Sequence, residues 1–341
     1  MKILSIIIPA YNSELYLDKC INSLLSDAVI NKLDIIIVDD GSTDQTAVIA
    51  DSYRDKYPNS ISVIHQENSG HGGAVNAGCA QAVGKYLKVL DADDTFVTDN
   101  LVEYINALNE IESDAVLTHY YTTDIVSGET EKWMCYPKSF LKNCAISDII
   151  SCWNDFSRCI TLHGITYRTD FYKKYAYMLS EKVFYEDHEL STFPFCWARS
   201  VMPIDIFIYK YRIGDISQSV SDNNRVLRMK DMASVLYRLV SEYDLLSDNS
   251  VIREFVCEKI KILLLSYLTT ALLVEKGKSG RDKAKAMMEY FKSTIPRVYE
   301  KSLKQYRVFR ILNFFGFGKK TFDRILRSGL YSRLKGTRGF N

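Results

Sequence analysis

The chain has 341 residues, 47% of them apolar and 25% charged, with a formal net charge of +1. That length and balance suit a large folded domain with a smaller one beside it, and exclude a disordered or fibrous chain. The eight cysteines form no Cys-x-x-Cys pair and no Cys/His spacing, so reduced thiols are expected rather than a disulfide framework or a structural zinc.

At the N-terminus, Met1-Lys2 leads directly into an apolar run that Pro9 ends too early for a secretory signal, so a cytoplasmic protein is expected. Through roughly the first 120 residues, apolar runs alternate with helical patterns, which argues βαβ units around a parallel sheet. Strands are expected at 4–8, 35–38, 61–65, 86–90 and 115–118. The first helix has Ser13 as its expected N-cap, with Leu17, Cys20, Ile21, Leu24 and Leu25 on one face. The second helix is expected to start near Thr43, capped by Ser42 or Thr43. Residues 119–162 read as irregular, 162–167 and 204–211 as further strands, and the chain beyond about residue 223 as helical. The apolar stretch 260–274 is interrupted by Lys261 and closed by Glu275-Lys276, so it reads as a buried core helix shorter than the ~20 residues a bilayer requires. The expected architecture is α/β: a Rossmann-like, mostly parallel sheet flanked by helices over residues 1–220, split at 118/119 into a nucleotide-binding and an acceptor half, then a helical region over 221–341.

Residues 290–341 carry thirteen Lys/Arg and two Asp/Glu, a local charge of +11, which leaves −10 on the rest. A basic tail on an acidic body meets something anionic or forms a solvated helical face. Its aromatic residues suggest peripheral attachment to an anionic membrane at the inner face; no nucleic-acid partner is expected.

Chemistry concentrates at strand ends. Asp39-Asp40 and Asp91-Ala92-Asp93-Asp94 each follow a buried-strand run, and right-handed crossovers bring these ends to one edge of the sheet, where open α/β sheets bind ligands. Clustered carboxylates are costly to desolvate unless a cation offsets them, and Mg²⁺ or Mn²⁺ suits oxygen donors. Pro9-Ala10-Tyr11-Asn12-Ser13-Glu14 follows the first strand; its aromatic could stack a base, or the run could be a simple turn. Asn68-Ser69-Gly70-His71-Gly72-Gly73 opens a helix with backbone N–H groups suited to an anion. It is no dinucleotide fingerprint, because Val75 stands where a third glycine or alanine is needed. Glu186-Asp187 offers a carboxylate for general-base work, or an acidic helix start favoured by the macrodipole.

Ser-Ile-Ile-Ile-Pro-Ala-Tyr-Asn from Ser5, Val-Asp-Asp-Gly-Ser-Thr-Asp from Val38 and Leu-Asp-Ala-Asp-Asp from Leu90, in this order, resemble the family 2 inverting glycosyltransferases of the GT-A fold, over residues 3–220. The resemblance implies a nucleotide-diphosphate sugar donor, usually UDP-linked, a Mg²⁺ or Mn²⁺ ion, and inversion at the anomeric carbon. It implies that Ala10, Tyr11, Glu14 and Asp39 contact the uridine, and that Pro9, Asn68, Gly70 and Asn76 belong to the nucleotide-sugar pocket. Asp91 and Asp93 then form the nucleotide- and metal-binding pair, with Asp93 the direct ligand and Asp94 its alternate. Asp187 is the implied base beside Glu186. His71 is a positioning or acceptor-side residue, and His163 lies on the acceptor-side strand. Arg212 is placed on the diphosphate, with Ser217 and Ser219 steadying a lid. The Gln-x-x-Arg-Trp motif of processive synthases is missing, which points to single sugar additions to a glycan or lipid-linked acceptor in surface-glycan synthesis. Two alternatives are a non-catalytic sugar-nucleotide-binding protein and a nucleotidyltransferase. The second would want Gly and Arg in the first loop, and Pro9-Ala10-Tyr11-Asn12 has neither.

Overall fold

The computed structural model describes residues 1–215, 222–246 and 248–327, with side chains described up to Arg324. Among these residues nine strands form one sheet. β1 (Leu4–Ala10), β2 (Leu33–Asp39), β3 (Ile61–His65) and β4 (Tyr86–Val89) run parallel in the order β3-β2-β1-β4. β1 is buried along its whole length, as a central parallel strand covered on both faces must be. Beyond β4 the sheet becomes mixed. β8 (Ile165–Arg168) is antiparallel to both β4 and β6 (Ala115–Asp124), and β9 (Val201–Ile213) is parallel to β6. β5 (Thr95–Phe96) borders β9, and β7 (Thr130–Trp133) folds back on the outer half of β6.

Several boundaries differ from expectation. The segment after 118 does not become irregular at once: β6 continues to Asp124 and turns into β7 through Gly128, whose φ of +74° suits glycine. β8 starts only at Ile165, because Leu162 and His163 lie in the turn before it. The first helix, α1 (Leu17–Asn22), has Tyr16 rather than Ser13 at its N-cap. Ser13 instead donates its N–H to Thr46 Oγ1 (2.7 Å). The second helix, α2 (Thr46–Lys56), starts later than Thr43, where Asp44 Oδ1 accepts from the Thr46 N–H (2.9 Å). The side chains near Thr43 are taken by the loop after β1, which competes with capping.

α3 (Gly70–Gln81) packs against β1 at Gly78, where a Cβ would run into the Ile7 side chain. α4 (Thr98–Glu110) buries Leu101, Tyr104, Ile105 and Leu108, a spacing of one helical face.

The described residues divide into two compact units, one reaching Asp215 and including Asp248–Val256, the other holding 222–246 and 257–327. The second unit is helical, with Met229–Asp244, Gly277–Thr294, Pro296–Phe314 and Lys319–Arg327 as helices. The apolar 260–274 stretch forms the later part of helix Ser250–Thr269 and a π-turn at Thr270–Glu275. Among the described residues, no helix is long and apolar enough to cross a membrane.

Candidate active site at the ends of the parallel strands

The ends of β1 and β2 are stitched together by their loops. Asn12 donates its N–H to Ser42 Oγ (3.0 Å) and its Oδ1 accepts from the Thr43 N–H (2.9 Å). Glu14 Oε2 accepts from the Gln45 N–H (2.9 Å), and Asp44 returns the bond to the Glu14 N–H (3.1 Å). Glu14 thus holds the loop in shape. Pro9 and Ala10 are buried below it, and the Tyr11 ring is 52% exposed above it.

Asp39 and Asp40 are both buried and do different work. Asp39 accepts from the Ser42 N–H (3.0 Å) and pairs with His65 Nδ1 (2.9 Å). The bond to Asp39 raises the His65 pKa above its ordinary value, against the opposing pull of burial. Asp40 accepts from the backbone N–H groups of Ser69 and Gly70 (2.8 Å each) and from Gln66 Nε2 (2.7 Å). The anion expected at this helix N-terminus is therefore the Asp40 carboxylate itself. Gly70 and Asn76, expected along the nucleotide pocket, are likewise bonded within the protein. The Gly70 N–H is already used, and Asn76 spends its amide on the N–H and C=O of Leu179 (2.9 and 3.0 Å). Asn68 is exposed, with its backbone against Gly41.

The carboxylates after β4 form the second half of the site. Asp94 is buried; its oxygens accept from the Tyr209 hydroxyl and the Arg212 N–H (2.7 Å each). Asp93 is half-buried and faces Arg212 Nη1 at 3.6 Å. The same guanidinium bonds Asp215 (2.7 Å) and lies 4.4 Å from the centre of the Tyr16 ring. Arg212, expected on the diphosphate, thus faces Asp93 and Asp215, while Ser217 and Ser219 lie outside the described residues. Burial, followed by the charges of Asp91 and Asp93, pushes the Asp94 carboxyl well above the usual range.

That mutual repulsion is what a cation would relieve. Donor atoms of Asp91, Asp94 and His163 lie within 4.8 Å of one another. Burial lowers the His163 pKa to about 4, so its imidazole is neutral and keeps a lone pair to offer. Two carboxylates and a neutral imidazole fit Mg²⁺ or Mn²⁺. The grouping differs from expectation: His163, and not Asp93, shares the cluster with Asp91 and Asp94. His163 packs on Tyr211 (4.1 Å between ring centres), and its carbonyl accepts from the buried Lys88 ammonium (2.8 Å).

Across from this cluster, Glu186 is buried and pairs with His71 Nδ1 (2.5 Å), while His71 Nε2 pairs with Asp91 Oδ1 (2.9 Å). Burial opposes charge on His71, but the two carboxylates outweigh it and hold its pKa well above the usual value. The half-buried Asp187 opens the short helix Asp187–Leu190, with Glu186 at its N-cap. Its charge is felt by both His163 and Tyr211. The fold thus gathers Asp91, Asp93, Asp94, His163, Arg212, His71, Glu186 and Asp187 at one sheet edge. His65, Lys88, Tyr16, Tyr209 and Asp215 were not foreseen. Only His65 left a signal, since it ends β3 in register with Asp39 at the end of β2.

Residues 5–175 match the model of the family described as glycosyl transferase family 2. The chain is 32% identical over 152 residues to glycosyltransferase GlyG of Streptococcus pneumoniae, covering 44% of this chain and 50% of GlyG. It is 38% identical over 130 residues to the minor teichoic acid biosynthesis protein GgaA of Bacillus subtilis, covering 36% of this chain and 29% of GgaA. The matched stretch is thus half or less of each relative. The crystal structure of S. aureus TarS 1-349 in complex with UDP-GlcNAc superposes with a TM-score of 0.64 at 22% identity, over 96% of this chain and 92% of that one. That likeness shows a shared GT-A fold.

Proposed function

This chain belongs to glycosyl transferase family 2, and from that premise we propose that it is an inverting, non-processive transferase that moves one sugar from a UDP-linked donor to an acceptor hydroxyl. The observation that carries this reading is the meeting of Asp91, in the acidic cluster after β4, with Glu186, beside Asp187, through one histidine, His71. In this reading Tyr11 stacks the base and Asp39, oriented by His65 and the Ser42 N–H, accepts from the uracil N3–H. Asp91 and Asp94 with His163 would hold Mg²⁺ or Mn²⁺, with Asp93 beside them as a further donor, and the ion when bound would neutralise diphosphate charge. Arg212, already facing Asp93, supplies a fixed cation beside the leaving group. The acceptor oxygen attacks the anomeric carbon opposite the departing UDP, and Asp187 takes its proton. The TarS complex holds UDP-GlcNAc, and GgaA serves teichoic acid biosynthesis; a UDP-N-acetylhexosamine donor and a surface-glycan acceptor follow as first choices.

A screen of nucleotide sugars tests the reading. With Mn²⁺ present, one UDP-sugar is expected to raise the apparent melting temperature and to be slowly hydrolysed to UDP and free sugar. A UDP-sugar that binds but is never cleaved favours the non-catalytic alternative. Release of pyrophosphate from UTP and a sugar phosphate favours the nucleotidyltransferase.

We also propose that the second unit meets an anionic membrane. Phe314, Phe315 and Phe317 are 83%, 65% and 46% exposed at the end of helix Pro296–Phe314, with neighbouring rings 5.3 and 6.5 Å apart. Arg307, Arg310, Lys320 and Arg324 are exposed nearby in sequence. Aromatic residues suit the headgroup boundary, and each basic residue near an anionic surface adds about 1 kcal/mol. The protein is expected to sediment with phosphatidylglycerol vesicles, less so in high salt, and a triple Phe→Ser variant at 314, 315 and 317 is expected to stay in solution. Equal sedimentation of wild type and variant sinks the proposal, as does self-association of the wild type without vesicles.

A further inference from the structure

The first turn of α3 reads Gly70-His71-Gly72-Gly73, and its glycines serve a neighbouring segment rather than a phosphate. Residues 179–187 lie directly on this turn. A Cβ at Gly70 would come 2.8 Å from the Lys182 nitrogen, and one at Gly72 would collide with the Ser180 carbonyl and reach 3.0 Å from Glu186 Cγ. The Lys182 N–H bonds the Ser69 carbonyl (2.9 Å), and Asn76 holds Leu179 at both backbone groups. The segment is also strained: Lys182 and Tyr185 have φ of +57° and +76°, a left-handed backbone that residues with a Cβ rarely adopt. Such a shape persists only where its surroundings hold it. Within the turn, one side chain reaches both the segment and the floor of the site.

We infer that His71 is a positioning residue that clamps the 179–187 segment to the floor carboxylate, with Nδ1 on Glu186 and Nε2 on Asp91, and thereby sets where Asp187 stands. Glu186 is the N-cap of the helix that Asp187 opens, so a shift of one carries the other. Without the imidazole, the buried Glu186 carboxylate loses its partner and moves toward water, and the strained backbone relaxes. The inference rests on Asp187 being the base, and it extends that reading to the residue that couples the base to the donor side.

Four measurements on His71→Ala and His71→Gln test it: kcat, donor KM, UDP affinity, and hydrogen exchange of the amides at 182–191. His71→Ala is expected to lower kcat by ~10²-fold, as a misplacement near 1 Å does. At saturating Mn²⁺, which masks any loss of cation affinity through Asp91, donor KM and UDP affinity are expected to stay near wild type, and the 182–191 amides to exchange faster. His71→Gln keeps one hydrogen bond and is expected to fall between. Combined with Asp187→Asn, the His71 change is expected to cost little further turnover, because it acts through that carboxylate. A His71→Ala variant that loses UDP affinity in step with kcat makes His71 a nucleotide contact and overturns the clamp. So does wild-type exchange at 182–191 in both variants. If Asp187→Asn alone turns over normally while His71→Ala still loosens the segment, the base assignment fails and the clamp stands.

Discussion

Asp187→Asn is expected to lower turnover by about 10²–10⁴-fold, the usual worth of a general base. The substitution keeps size and polarity and removes basicity. Asp187 is half-buried at a helix start, so the variant is expected to fold. UDP-sugar affinity is expected to change little, because the residue faces the acceptor side in the proposed reaction. Glu186→Gln is the control. Glu186 is buried against His71, so its loss acts through position and is expected to cost less turnover while lowering thermal stability. Turnover of Asp187→Asn near the wild-type rate would falsify the assignment, and so would a parallel loss of donor binding.

Asp91→Ala and Asp93→Ala are each expected to remove Mn²⁺-dependent UDP binding, by roughly 10²-fold or more, since even partners of direct ligands are worth 10–100-fold. Both carboxylates are partly open to solvent, so both variants are expected to fold. Asp94→Ala is expected to behave differently. Its oxygens satisfy the Tyr209 hydroxyl and the Arg212 N–H inside the protein, and orphaning such donors costs about 1–3 kcal/mol. Its melting temperature is expected to drop before any metal is added. Titration calorimetry of UDP with and without Mn²⁺, paired with unfolding curves in a chelator, separates the cases. A metal-dependent affinity unchanged in both Asp91→Ala and Asp93→Ala would remove the cation from this site.

The amino-acid sequence by itself determined the parallel half of the sheet. Apolar runs such as the one over 4–8 have a buried central strand open to them, although the observed strand carries on through Pro9 to Ala10. It also determined which residues hold the charge at those ends, because the carboxylates directly follow the buried-strand runs along the chain. Tertiary structure alone decided what each carboxylate is for. Asp39 and Asp40 are neighbours with the same chemistry, yet one meets a histidine across the sheet and the other closes a helix end. Asp94 and Asp93 look interchangeable in sequence, but Tyr209 and Arg212, brought over from β9, bury the first and leave the second facing the site. His71, Asp91 and Glu186 are separated by 20 to 115 positions, and no local pattern links them. A side chain's partners depend on which strand lies beside its own, and strand order is settled by packing the whole sheet, not by any single segment.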